Sequence, residues 1–184
     1  VMYCNTGGEI GLIMISEKMI HSILRHYALP WSGIHGVSHW ARVLENGRRL
    51  SKTTGARTHV VELFAVFHDS RRVNEGFDDG HGYRGADLAK KLRGVEFELA
   101  DEDFDLLVHA CELHTEGLLE GDITVRTCWD ADRLDLGRVG ITPREDRLCT
   151  DGAKVPGLLE WAIKRSEGFI VPAFVSSEWG IRFR

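Results

Sequence analysis

The feature that most constrains the fold is an apolar segment, residues 60–67, that runs directly into the dipeptide His68-Asp69. The segment reads VVELFAVF and is apolar nearly all round a helix, which predicts a central, buried helix over 57–71. An adjacent His and Asp at the end of such a helix cost free energy to bury unless they are paired or bind a metal ion. Neutral imidazole and carboxylate are both good ligands for divalent transition ions. The dipeptide alone also fits a His that ends a helix and an Asp in solvent. Other segments are needed to distinguish this from a metal site.

Hydrophobic residues recur at helical spacing along most of the chain, while period-2 alternation is scarce. This pattern predicts helices over residues 17–27, 37–52, 57–71, 85–92, 101–114, 124–134 and 157–165. A short strand within 168–175 is a further prediction, because Phe169, Ile170 and Val171 favour strands although Pro172 interrupts them. We therefore expect an all-α, single-domain helical bundle of about six to eight helices.

The 184 residues are enough for one domain with a full hydrophobic core. Gly7, Gly8 and Gly11 are poor helix formers and predict a loose leader over residues 1–15. The domain is expected over 16–184, with its motifs within 35–135. The aromatic-rich tail, 141–184, is expected to pack on the helical body, where it could close one side of a pocket or form a homo-oligomer contact.

Composition narrows the classes of partner. A net charge of −5 argues against binding a nucleic-acid polymer, which needs a basic surface. No apolar run approaches the roughly 18 residues of a membrane span, so no membrane partner is expected. The four cysteines have no CxxC spacing and no export signal precedes them, which predicts reduced thiols and a cytoplasmic location. They are Cys4, Cys111, Cys128 and Cys149.

All nine histidines precede residue 115, and two further segments have the residue types of a metal site. His39 lies in the segment HWARV, within a predicted helix. Far downstream, residues 129–135 read WDADRLD, in which three acids interrupt an apolar helical pattern. A carboxylate that points inward from such a helix calls for a cation. Asp130 and Asp132 are both candidates for that carboxylate.

These segments together resemble the H…HD…D signature of the HD-domain superfamily of metal-dependent phosphohydrolases. His39 stands in His-x-x-Arg-Val, His68-Asp69 is the HD pair, and Asp132 stands in Ala-Asp-Arg-Leu. The resemblance covers residues 35–135 and is to bacterial members of the superfamily. It implies an HD-type helical fold in which His39, His68, Asp69 and Asp132 bind one metal ion. Asp132 is preferred over Asp130 because the family's Asp follows Ala and precedes a basic residue and Leu.

Some members of the superfamily hold a second ion with two additional histidines. His81 and His114 resemble those positions, and Asp69 would then bridge the two ions. The cofactor implied is one or two divalent ions, chosen from Mn, Fe, Co, Ni, Zn and Mg. His35 is expected beside the ligands. The remaining histidines, His21, His26, His59 and His109, are expected to have no role at the metal.

The resemblance implies a metal-activated water that attacks the phosphate ester of a nucleotide or another small molecule. Asp69 would orient this water or take its proton, in addition to its role as a ligand. The charge of the phosphate requires nearby cations. Arg72 and Arg133 adjoin predicted ligands and are, with Asp69, the predicted catalytic residues; Arg71 and Arg84 are further candidates. Two alternatives stay open: a di-iron oxygenase of the HD type, and a metal-stabilised binding or regulatory module without turnover.

Overall fold

Eight α-helices make up most of residues 15–183, the part of the chain that a computed structural model describes. They are α1 (Glu17–Leu24), α2 (Val37–Thr54), α3 (Thr58–Phe67), α4 (His81–Leu92), α5 (Asp101–Leu113), α6 (Ile123–Arg133), α7 (Pro156–Glu167) and α8 (Phe174–Ser177). Three short 3-10 turns, Leu136–Val139, Glu145–Arg147 and Asp151–Lys154, connect α6 to α7. The predicted all-α, single-domain bundle is confirmed. All of the predicted leader except Ile15 lies outside the described residues.

Capping and stop signals explain several helix ends. The Ser16 side chain accepts a hydrogen bond from the Met19 backbone N–H and begins α1, and Asp122 does the same for Thr124 at the start of α6. Gly55, at a φ of 75°, ends α2 in the left-handed region. Pro156 occupies the first position of α7, where its missing N–H costs no helical hydrogen bond.

The core is built around α3, whose residues from Val60 to Phe67 are all buried. Helices α2, α5 and α6 pack against it, and α4 packs on α5. Glu62 is the one charged residue in this stretch, and its Oε1 lies 2.6 Å from Nε of Arg48. The ion pair explains how an otherwise apolar helix keeps a buried carboxylate. The end of α3, and therefore His68-Asp69, lies inside the bundle.

Gly47 explains how closely α2 approaches α3. A Cβ at this position would clash with Cγ1 of Val61, so only glycine allows the two helices this separation. On the opposite side, α2 also contacts α7, where the guanidinium of Arg49 lies 3.9 Å above the ring of Trp161. The tail beyond residue 141 thus packs on the same helix that contains His39.

The structure corrects four predicted boundaries or elements. Helix α1 ends at Leu24 instead of continuing to residue 27. Helix α3 ends at Phe67, with His68 as its cap, instead of continuing to residue 71. Helix α4 begins at His81, four residues earlier than predicted, because the glycines that suggested a loop belong to its first turns. The strand predicted within 168–175 is wrong. No β-strand forms in residues 15–183; the segment after α7 turns back on the helix end, and Ile170 N–H donates to the carbonyl of Arg165.

Within the described residues, every helix is too short or too polar to cross a bilayer.

The turn after α7 contains a strained residue and provides a stability prediction. Phe169 has a φ of 48°, the only positive φ of a non-glycine residue in the described part of the chain, and the residue is 55% exposed. Both Phe169→Gly and Phe169→Ala remove the ring, but only alanine keeps the Cβ that this conformation disfavours. We expect the glycine variant to be more stable than the alanine variant by about 1 kcal/mol in urea unfolding. Equal stability, or a more stable alanine variant, would contradict the strain.

Candidate metal centre

Asp69 lies at the centre of a buried cluster of imidazoles, with a pair of histidines near each of its carboxylate oxygens. Oδ2 lies 3.5 Å from Nε2 of His39 and 3.9 Å from Nε2 of His68. Oδ1 lies 3.0 Å from Nε2 of His81 and 3.6 Å from Nε2 of His114. All five side chains are buried. They form a first group (His39, His68, Asp69) and a second group (Asp69, His81, His114), and each group could hold a metal ion.

The four histidines of these groups share one orientation, in which Nδ1 faces an oxygen acceptor and Nε2 faces the cluster. The acceptors are the carboxylate of Asp135 for His39 (2.7 Å) and the backbone carbonyls of Phe64 for His68 (3.1 Å), Asp78 for His81 (2.6 Å) and Cys111 for His114 (2.7 Å). An oxygen acceptor requires a proton on Nδ1, which leaves Nε2 of a neutral ring with its lone pair. Such partners typically fix the orientation of metal-binding histidines.

The facing Nε2 atoms indicate why a cation fits between them. His39 and His68 have their Nε2 atoms 3.0 Å apart, and so do His81 and His114. Two lone pairs at this distance repel each other unless a proton or an ion lies between them. Two ligands at about 2.1 Å from one ion, at right angles to each other, are separated by about 3.0 Å. Both pairs therefore have the spacing of adjacent ligands of one ion.

Asp132 supplies a further carboxylate to the first group. Its Oδ1 lies 3.5 Å from Nε2 of His39 and 3.6 Å from Nε2 of His68, and it is buried without a hydrogen-bond partner among the described residues. A buried, unpartnered carboxylate oxygen is costly and needs a cation to compensate it. The same atom thus satisfies both the distance and the chemistry expected of a metal ligand.

Asp130 has a different role, because both of its oxygens are already bonded. Oδ1 accepts the backbone N–H of Cys149, while Oδ2 accepts the backbone N–H and the hydroxyl of Thr150. Asp130 therefore fixes the loop between α6 and α7 to α6. Of the two aspartates that the sequence left open, the geometry favours Asp132 as the ligand.

Asp135 and Arg42 support His39 and were not identified from the sequence. The carboxylate of Asp135 accepts from His39, and Arg42 binds it in a bidentate manner, with Nε 2.6 Å from Oδ1 and Nη2 3.0 Å from Oδ2. His39 and Arg42 are three residues apart on α2 and so lie on one helical face. That spacing and the third acid of WDADRLD are the sequence features that could have predicted the contact of Asp135 with His39 and Arg42.

Burial and nearby charges shift the pKa values of the two aspartates and of His39 in the cluster. Burial by itself would raise the pKa of Asp69, but the surrounding imidazoles, His68 first, hold that pKa well below its usual value. His68 and then Arg138 likewise outweigh burial and lower the pKa of Asp132. Burial, and next the positive charge of Arg138, lower the pKa of His39. At neutral pH the aspartates are therefore ionised and His39 is neutral, as metal binding demands.

Two glycines of α4 allow His81 to reach the second group. A Cβ on Gly82 would clash with the carbonyl oxygen of Cys111, the group that orients His114. A Cβ on Gly85, one turn later, would clash with the carbonyl oxygen of Phe67 at the end of α3. This glycine face brings α4 into backbone contact with both α5 and α3. The second group depends on that close approach.

The predicted arginines lie in different places. Nη1 of Arg72 is 3.6 Å from Oδ1 of Asp69 and 3.2 Å from Nε2 of His81, so this residue adjoins the second group. Arg133 instead donates to the carbonyls of Leu118 and Arg147, away from the cluster. It does not contact the groups that it was predicted to serve. Arg138, which the sequence did not suggest, lies 3.9 Å from Oδ1 of Asp132.

The other two candidate arginines form structural contacts. Arg71 donates to the backbone carbonyl of His26, and Arg84 binds the carboxylate of Asp78 and the carbonyl of Arg71. Both therefore stabilise the segment between α3 and α4. Neither guanidinium has a bond to a member of the two groups.

The remaining histidines divide into one neighbour and four remote residues. Nδ1 of His35 lies 3.0 Å from Oδ2 of Asp69, and its Nε2 lies 3.2 Å from the carbonyl of Glu75. His59 contacts the carboxylate of Asp103 on α5. The exposed positions are those of His21, His26 and His109.

Comparison with protein-family models, with curated proteins and with solved structures found no match to this chain. The resemblance to the HD-domain superfamily thus remains a prediction from the sequence motifs.

Exchanging each aspartate of α6 for its amide separates a ligand from a structural residue. We expect Asp132→Asn to weaken metal binding by about 100-fold or more, since even outer-shell changes cost 10–100-fold, without lowering the stability of the metal-free protein. Asp130→Asn should lower that stability by about 1–3 kcal/mol, because a loop N–H loses its acceptor, and should leave metal affinity unchanged. Metal titration and urea unfolding measure the two effects. The reverse pattern would assign the ligand to Asp130.

Changing Gly82 tests the packing that positions His81. We expect Gly82→Ala to push α4 away from α5, to lower stability by about 1–3 kcal/mol and to weaken the second ion more than the first. Gly157→Ala is the matched control, since a Cβ there meets nothing within 4 Å. Metal stoichiometry at increasing ion concentration measures the effect. If both ions weaken equally, Gly82 does not act on the second group specifically.

Proposed function

We propose that this chain is a metal-dependent phosphohydrolase of the HD-domain superfamily, which cleaves the phosphate ester of a nucleotide or another small molecule. The observation that carries the proposal is the position of Asp69, with a pair of imidazole Nε2 atoms near each carboxylate oxygen. Two ions that share one carboxylate can act on the attacking and the leaving oxygen of a phosphoryl group. Among residues 15–183, Cys111, Cys128 and Cys149 are free, buried thiols, which supports the proposed cytoplasmic location.

In this proposal His39, His68, Asp69 and Asp132 would hold the first ion, and Asp69, His81 and His114 would hold the second. A divalent ion would lower the pKa of a water bound to it to about 7 and would polarise the phosphoryl oxygen. The carboxylate of Asp69, which belongs to both groups, would orient the attacking water. Asp135 holds His39 in the tautomer that presents a lone pair, and Arg42 holds Asp135. Nη1 of Arg72 provides positive charge at the second group.

A di-iron oxygenase is the second candidate, because four imidazoles and two carboxylates are also a suitable ligand set for a pair of irons. The third reading, a metal-stabilised regulatory module without turnover, uses the same ligands and differs only in the absence of a reaction. The three candidates predict different combinations of metal, oxygen consumption and hydrolysis.

Elemental analysis of the purified protein, followed by activity assays, tests the proposal. We expect one or two divalent ions per chain, hydrolysis of a phosphate ester after reconstitution with Mn, Co, Ni, Zn or Mg, and loss of that activity with a chelator. Two irons with oxygen uptake would replace the hydrolase by the oxygenase. Bound metal with no hydrolysis across a broad panel of phosphate esters would favour the regulatory module.

Asp69 is the residue on which both groups depend. We expect Asp69→Ala to lose both metal and activity, with activity falling by more than about 100-fold, because changes outside the ligand set already cost 10–100-fold. Asp105→Ala, which changes an exposed acid on α5, is the control and should retain both. Full metal stoichiometry in Asp69→Ala would refute the assignment of this ligand.

A further inference from the structure

We propose that Arg72 and Arg138 form a two-point clamp for the terminal oxygens of one phosphoryl group, and that the site therefore selects phosphomonoesters over phosphodiesters. This inference rests on the proposed function and specifies its substrate class. Both side chains are buried. In each, two guanidinium nitrogens donate to backbone carbonyls, and the third faces the metal-binding groups.

Arg138 is fixed from behind by two backbone carbonyls. Its Nε donates to the carbonyl of Ile34 at 3.1 Å, and its Nη1 donates to the carbonyl of Asp135 at 3.0 Å. The remaining nitrogen, Nη2, faces the first group, 3.9 Å from Oδ1 of Asp132 and 3.4 Å from Nδ1 of His35. An Nδ1 that donates to Asp69 cannot also accept from Arg138. Nη2 is then a positioned donor that makes no hydrogen bond to an oxygen of residues 15–183.

Arg72 repeats this arrangement at the second group. Its Nε and Nη2 donate to the carbonyls of Asn74 and Gly76, which fixes the plane of the guanidinium. The remaining nitrogen, Nη1, faces Nε2 of His81 at 3.2 Å and Oδ1 of Asp69 at 3.6 Å. When the lone pair of His81 binds an ion, Nη1 loses this acceptor and needs another. Each group thus has one rigid guanidinium with a single nitrogen left for a ligand.

The number of terminal oxygens decides which ester satisfies both donors. A phosphomonoester has three terminal oxygens, so two can accept from the arginines while a third faces the ions. A phosphodiester has only two and cannot supply an oxygen to each arginine and a separate one to the ions. An unpaired, buried donor costs free energy, so the binding of a diester, which leaves one arginine without an acceptor, is weaker.

The charge of the cluster leads to the same preference. Asp135 is neutralised by Arg42, while Asp69 and Asp132 are balanced in number by Arg72 and Arg138. The positive charge of each bound ion is therefore left for the substrate to neutralise. A dianionic monoester neutralises more of it than a monoanionic diester, and the interaction is strong at a buried site.

The test compares p-nitrophenyl phosphate with bis(p-nitrophenyl) phosphate, which have the same leaving group, in the Mn²⁺-loaded protein. We expect kcat/KM to be higher for the monoester. Arg138→Gln and Arg72→Gln should each lower kcat/KM for the monoester by about 100-fold, as for the loss of one positioned donor, with a much smaller loss for the diester. The affinity for inorganic phosphate should fall by about tenfold in both variants. Bound Mn²⁺ is measured for every variant.

Arg133→Gln is the matched control, because Arg133 is also fixed by two backbone carbonyls but faces away from the groups. It should change neither the ester preference nor phosphate binding. If Arg138→Gln does not retain metal, Arg138→Lys keeps the charge without the planar fork and should give an intermediate loss specific to the monoester.

The outcomes separate this inference from the proposed function. A loaded protein that hydrolyses both esters, with equal losses for both in the two glutamine variants, would overturn the clamp and leave the hydrolase intact. A preference for the diester would do the same. A metal-loaded wild-type protein that neither binds inorganic phosphate nor hydrolyses either ester would overturn the hydrolase and the clamp together.

Discussion

The buried carboxylate of Asp69 is the constraint on which the rest of the structure depends. An ionised carboxylate away from water costs several kcal/mol, about the stability of a whole small domain, unless charges and hydrogen bonds compensate it. The histidines around Asp69 come from the ends and faces of different helices: His39 from α2, His81 from α4, and His114 from the end of α5. Nδ1 of His35 donates to the carboxylate, and a cation held by the Nε2 lone pairs would compensate the rest of its charge. The packing of these helices around the end of α3 therefore also assembles the site.

The aspartates show how a fold distinguishes structural carboxylates from ligands. Asp130 and Asp135 have their oxygens occupied by backbone donors, a hydroxyl, an arginine and an imidazole, and they hold a loop and a ring in place. Oδ1 of Asp132, by contrast, is buried with no donor. A protein gains nothing in stability from such an atom, because its desolvation is not compensated within the chain. Satisfied and unsatisfied oxygens lie within one short segment. Asp135 accepts the Nδ1–H of His39, whereas Oδ1 of Asp132 faces the Nε2 atoms of His39 and His68.

The features that could be predicted from the sequence are those that a local pattern of residues determines. The apolar run before His68-Asp69 identified the central helix and its polar end, and helical periodicity identified the bundle. The sequence misjudged the start of α4, because Gly82 and Gly85 suggested a loop when they serve close helix packing. It chose Arg133 for its place beside Asp132, but adjacent residues on a helix point about 100° apart. Arg138 reaches the cluster through a turn after α6, which no helical spacing predicts.

Local charge also explains how an acidic chain could bind an anion. The net charge of −5 is a sum over the whole chain, and at physiological ionic strength charges more than about 8 Å apart are largely screened in solvent. We expect an acidic surface to disfavour a nucleic-acid polymer, which would contact much of it. A small phosphate inside the cluster instead senses Arg72, Arg138 and any bound ions at short range, where screening by salt is weak. If the proposed function holds, composition would limit the size of the anionic partner, and Arg72 and Arg138 would determine which small anion is favoured.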